Sequence, residues 1–251
     1  MKTFLSYITE VDTSHTFERE TTLNNHLKSH GLVDKEETTA GSTGGQDFKI
    51  THPKTKKKVA GQEVPKIGGE VKDNIKGAKL GSVAIRYHKD KGWHIPESTK
   101  KAKPELSAAI ENHEIVGSDG VKRKFFEHLN HHWGASEEGK HLPSVTTGPT
   151  DMAPAHAYMR DHGVDIVHIG DRGTFRAGHS HKDDRHNSGL PVLSGQGKFT
   201  VSTERKRTPE QQRNGTGMQV NFRAIPKTVP HSDVDISTDE GAKKLKRNMS
   251  K

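Results

Sequence analysis

The chain has 251 residues, no cysteine, 28% hydrophobic residues, a mean hydropathy of −0.91 and a formal net charge of +8. The cysteine count excludes disulfides and thiolate metal sites. The opening MKTFLSYITE has too short an apolar run for a signal peptide, and no later run is long enough to span a bilayer. These values predict a soluble, non-secreted, cytoplasmic protein of one large domain or a domain with an appendage, with a modest core and long polar loops.

In chain order, residues 15–30 are predicted as a helix closed by Gly31 and capped by Thr13 or Ser14. Phe17, Glu20, Asn24 and Leu27 share one face at 3/4 spacing, with Leu23 beside them. Glu20 therefore faces whatever Phe17 and Leu27 pack on, an unusual place for an acid unless it is paired or holds a metal. A polar loop follows, then a strand over 47–51, a basic turn HPKTKKK, a returning strand over 59–64 and a strand segment at 70–72. Residues 79–95 read as a hairpin. Helices are expected over 104–115 and 120–133, and a short one from a Thr150 or Asp151 cap to Arg160. A hairpin over 164–176 turns at Asp171-Arg172-Gly173. Further strands are expected at 192–193, 198–203 and 218–225, and the last 25 residues read as a polar tail.

The positive charge is not evenly spread. Residues 1–48 carry 4 Lys and Arg against 8 Asp and Glu, whereas residues 49–103 carry 15 against 5, a balance of +10. That concentration is the electrostatic footprint expected for a polyphosphate partner, the plainer alternative being a solvated lysine-rich face. Within it, Glu70-Val71-Lys72 puts an acid and a lysine on one face of a strand, because side chains alternate. Asp47 on a neighbouring strand would complete a hard-oxygen pocket of the kind Mg²⁺ prefers. Glu63-Val64-Pro65-Lys66 is closer to Asp47 in sequence, but Pro65 stands where the lysine would be. Glu63 remains a substitute for Glu70 or a third ligand.

These residues resemble the PD-(D/E)XK nuclease superfamily: an acidic helix (Glu20), a strand Asp (Asp47), Glu70-Val71-Lys72, and the following run DNIKGAKLGSVAIRYHKDKGW. The resemblance spans the chain from the first helix to Trp93. It implies an α/β (α+β) protein with a restriction-endonuclease-like mixed β-sheet flanked by helices, here with a strand-rich C-terminal portion. It further implies that Asp47 and Glu70 hold Mg²⁺, with Mn²⁺ as an alternative. Lys72 would position or activate the attacking water, and Glu20 would add a metal or water contact. The expected organisation is a nuclease core over 1–133, a strand-rich portion over 134–225 that completes the sheet or binds substrate, and a tail over 226–251. The opening decapeptide resembles the starts of proteins from large tailed phages, which would make the compartment a host cytoplasm.

The expected partner is DNA, double-stranded rather than single-stranded, because aromatic residues are only 5%, too few to predict an extended base-stacking platform. Lys54, Lys56, Lys57 and Lys58 are read as a phosphate-tracking turn, and Arg205, Lys206 and Arg207 as a second basic loop. A homodimer is an option. The rival reading is a non-catalytic, basic nucleic-acid-binding or virion-associated protein using the same lysines. A third is a zinc-dependent hydrolase built on His179, His181 and His186, although their Gly, Ser and charged neighbours favour a solvated loop. His128 and His132 have metal-binding spacing, but the sequence identifies no carboxylate partner for them.

Overall fold

The structure, a computed structural model, describes residues 14–35, 46–51, 66–76, 78–88, 90–133, 145–178, 184, 186–203 and 218–251. The returning strand expected at 59–64, Glu63, the lysines at 54 and 56–58, the basic residues at 205–207, and His179 and His181 all lie outside them. The fold is mixed α+β, with six α-helices among the described residues. Four strands form a first sheet: β1 (Phe48–Ile50), β2 (Ile67–Lys72), β7 (Ile166–Ile169) and β8 (Gly173–Arg176), in that spatial order. The β1–β2 and β7–β8 pairs are antiparallel and the β2–β7 pair is parallel, so the sheet is mixed. A second, antiparallel sheet has the order β4 (Gly92–His94), β3 (Lys79–His88), β10 (Met218–Ala224) and β9 (Gly197–Thr203).

Both sheets draw strands from either side of residue 133, because β7 and β8 continue the first and β9 and β10 the second. One face of the first sheet is covered by α1 (Ser14–Ser29) and α6 (Asp239–Met249). There Leu23, Leu27, Ala242, Leu245 and Met249 pack with Ile50, Ile67, Val71 and Ile166. The opposite face contributes Val167, Ile169 and Phe175 to a larger core. That core also takes in α5 (Ala153–Asp161), α3 (Pro104–Asn112), α4 (Phe125–Trp133) and the inward side chains of the second sheet. A short helix, α2 (Glu97–Ala102), precedes α3 and was not expected from the sequence. Among the described residues no helix is long and apolar enough to cross a membrane.

Three expectations are corrected. The helices expected over 104–115 and 120–133 are separated by a hairpin, β5 (Glu114–Val116) and β6 (Lys122–Lys124), so the second helix begins only at Phe125. Gly117 donates to Val121 O at 3.0 Å, Asp119 Oδ1 accepts from Val121 N at 3.0 Å, and Gly120 has φ +74°. These interactions close the turn, which leaves Val121 exposed rather than on an apolar helix face. The strand expected at 192–193 is reduced to an isolated bridge between Val192 and Arg176.

The third correction concerns residues 226–251, expected as a tail. They bury Val229, Val234 and Ile236 and end in α6, whose Thr238 side chain caps the helix by accepting from Gly241 N at 3.1 Å. Ala242, Leu245 and Met249 recur at i, i+3 and i+7, one narrow stripe on an otherwise polar helix. Leu245→Ala is expected to cost about 2–5 kcal/mol in urea denaturation, the usual range for emptying a buried leucine site. A change below about 0.5 kcal/mol, typical of a surface substitution, would show that α6 does not hold the fold together.

Candidate active site

The candidate site is built on β2. Its alternation sends Ile67 and Val71 into the α1–α6 core and turns Gly68, Glu70 and Lys72 to the other face. The consecutive glycines permit close approach on both sides. A Cβ on Gly69 would lie 2.1 Å from Phe48 Cζ, and one on Gly68 would lie 2.3 Å from Gly163 O. Gly68-Gly69 therefore does not interrupt the strand; it lets β1 and the α5–β7 turn close onto it.

Asp47 immediately precedes β1 and is doubly tied to β2. Its N–H donates to Gly69 O at 2.7 Å, and its Oδ2 accepts from Val71 N at 2.6 Å. Since Phe48 pairs with Gly69, this latch sets the Asp47 carboxylate beside Glu70. Glu70 is buried, its Oε1 accepts from Lys72 Nζ, and its Oε2 is buried with no hydrogen-bond partner among the described residues. The end of β2 is pinned by Gly170 N donating to Lys72 O at 2.9 Å and by Ile75 N donating to Asp171 Oδ1 at 2.7 Å.

Glu20 comes to this group from α1. Burial pushes its carboxyl up to about 7, Asp47 adds to the shift, Lys72 opposes it, and Asp73 and Glu70 add further. Burial also raises Asp47; its bond from Val71 N opposes this, Glu70 reinforces it and Lys72 opposes it. Four carboxylates (Glu20, Asp47, Glu70 and Asp73) thus face Lys72 and Arg19, whose Nη1 lies 3.2 Å from Asp73 Oδ1. The oxygens of Glu20, Asp47 and Glu70 do not all lie within 4.8 Å of one another. They form an electrostatic group rather than a closed three-ligand cage.

Sequence reasoning missed several neighbours. Tyr158 on α5 is pushed up to about 12 by burial, with Glu70 and Asp47 adding to the shift, so it carries its proton beside the carboxylates. It lies on an ordinary-looking helix, and nothing local distinguishes it. A cleft of about 680 Å³ runs between α1 and the ends of β2 and β7, lined in part by Arg19, His26, Lys72, Asp73, His168 and Asp171. His168 is buried, with Nδ1 3.1 Å from Thr174 Oγ1 and 3.9 Å from Asp235 Oδ1. Burial holds its imidazole below the ordinary value, against the pull of Asp235.

The other constellations have different roles. Asp184, from the histidine loop, accepts from Ser188 N and Oγ and from Gly189 N at 2.9–3.0 Å, so its carboxylate organises a turn. On α4, the His128 and His132 rings lie 4.5 Å apart at a tilt of 51°, and a carboxylate the sequence did not reveal, Asp119, comes within reach of His131 and His132. Comparison with protein-family models, curated proteins and solved structures finds no match to this chain.

A carboxyl whose folded value is raised binds its proton more tightly in the folded state. Glu20 therefore costs stability above pH 7, and the cost fades as pH falls from about 7 towards 4.5. In the absence of divalent cations, Glu20→Gln is expected to stabilise the protein at pH 8 by on the order of 1 kcal/mol after discounting for solvent screening. The gain should shrink to nothing near pH 4.5. Thermal unfolding across that range checks it, and a gain independent of pH would mean that the carboxylate charge is not its cause.

Proposed function

We propose that the protein is a Mg²⁺-dependent nuclease that hydrolyses DNA phosphodiester bonds, of the PD-(D/E)XK kind with a restriction-endonuclease-like core, and that it acts as an endonuclease. The observation that carries this reading is the buried Oε2 of Glu70, without a hydrogen-bond partner among the described residues, beside the latched carboxylate of Asp47. A buried carboxylate oxygen without a donor is costly, and a hard cation is one way to satisfy it. The donor set fits Mg²⁺, which commonly takes one or two carboxylates and keeps several waters. Asp47 and Glu70 would hold the ion, and Glu63 is a further candidate ligand. When bound, the ion would stabilise negative charge on the phosphate and lower the pKa of water.

The chain's own residues supply the rest. Lys72 shares a face with Glu70 and offers a positive charge for a phosphate oxygen or an orienting contact for water. Glu20, held near 7, accepts or retains a proton at neutral pH and suits a water contact. Tyr158 keeps its proton and offers a hydroxyl donor on the same side. The basic excess over residues 49–103 supports a phosphate-backbone partner.

The test is incubation of the full chain with supercoiled plasmid and with linear single- and double-stranded DNA, in Mg²⁺, Mn²⁺ or EDTA. Asp47→Asn retains an oxygen to accept from Val71 N but loses the charge, and Lys72→Ala removes the ammonium. Each is expected to lower metal-dependent cutting by about 10²-fold or more while DNA binding persists. Cutting that survives both changes would place the chemistry elsewhere. Salt-sensitive binding without cutting on any substrate would favour the non-catalytic DNA-binding protein.

A further inference from the structure

The first and last helices meet at three metal-ligating side chains that the proposed nuclease chemistry does not use. His26 is in the last turn of α1 and His30 lies just past its end, where its N–H donates to His26 O at 3.3 Å; the two ring centroids are 4.7 Å apart. Asp239 opens α6, 209 positions from His30 along the chain. Its Oδ1 lies 2.9 Å from His30 Nε2 and 4.0 Å from His26 Nδ1. One ring nitrogen of each histidine and one carboxylate oxygen of Asp239 all lie within 4.8 Å of one another. We propose that His26, His30 and Asp239 form a binding site for a divalent transition-metal ion, Zn²⁺ by type, that clips α1 to α6.

The donor chemistry selects the ion. Two imidazoles and one carboxylate suit Zn²⁺ or Co²⁺, whereas Mg²⁺ prefers oxygen donors and a hydrated shell. Zinc bonds of about 2.0–2.1 Å in a tetrahedron separate the ligand atoms by about 3.3 Å. The two distances from Asp239 Oδ1, 2.9 and 4.0 Å, bracket that value, so only small side-chain adjustments are needed. The Asp239 side chain is 73% exposed and free to make them, and solvent can fill the fourth position. Neither ring nitrogen of His26 makes a hydrogen bond among the described residues, so one is available as a ligand. Lys243 and the positive N-terminal end of α6 act against a cation beside Asp239, which holds the affinity below that of a closed four-ligand site.

A second group, Asp119, His131 and His132, lies at the surface, and its carboxylate is already engaged by Arg123 Nη1 at 2.8 Å and by Val121 N. It serves as the control. The full chain, with any affinity tag removed and metal stripped, is titrated with Zn²⁺ by calorimetry and with Co²⁺ by visible absorption. A single equivalent with a tetrahedral cobalt band is expected. His30→Ala and Asp239→Asn should each weaken binding by at least about tenfold and abolish the band, whereas His131→Ala should change neither. Zn²⁺ should also slow amide exchange in both α1 and α6 of the wild type but not of Asp239→Asn, an exposed substitution that leaves the core intact. Absence of binding, binding unchanged in His30→Ala, binding lost with His131→Ala, or no slowing of exchange in the wild type would each overturn the proposal. The readout is metal binding and helix protection, so the outcome is independent of whether the protein cuts DNA.

Discussion

The hydrogen-bonded seating of β2 between β1 and β7 is the constraint on which the rest of the site depends. Pairing on both edges fixes the strand's register, and register fixes which side chain faces which way. A slip of one residue would turn Lys72 into the α1–α6 core and Val71 onto the face that now holds Glu70. The glycines at 68 and 69 make the seating possible, because Phe48 and the Gly163 carbonyl occupy the space a side chain would need. With β2 held in this way, Asp47 can reach Val71 N, Glu70 is buried, and Lys72 lies beside it.

The electrostatic cost follows from that geometry. Burial of Glu20 and Asp47, reinforced by the neighbouring carboxylates and opposed by Lys72, raises both carboxyls above their ordinary values. Such an arrangement opposes folding unless charge is returned to it, and sites that carry function often retain a cost of this kind. Two different donor chemistries lie close to the same helix. Glu20 of α1 belongs to the oxygen-rich group around β2, while His26 of α1 and His30 just past its end face Asp239 of α6. Leu23 and Leu27 lie between them and anchor the helix on the sheet.

Much of the local structure was legible. The first helix, the 79–95 hairpin, the 164–176 hairpin and the strands now seen as β9 and β10 are short-range patterns of period 3.6 or 2 with glycine punctuation, and each is found close to its expected bounds. Two segments misled. Residues 120–124 carry alternating polarity too weak to separate a strand from a helix start, and the turn at Gly117–Gly120 decided the matter. The final segment looked like a tail because α6 exposes most of its side chains, and its three-residue apolar stripe has meaning only against Leu23 and Leu27.

The sequence by itself determined that Glu70 and Lys72 share a face, that Glu20 lies on the packed side of a helix, and that basic charge is concentrated over residues 49–103. Those follow from backbone periodicity and composition, which are local properties. Only the tertiary structure decided that Asp47 latches to Val71, that Tyr158 stands near the carboxylates, and that Asp239 meets His26 and His30. Each of these contacts joins residues distant in the chain through sheet pairing or helix docking. No periodicity within either segment encodes its partner, because the partner is chosen by the packing of the whole core.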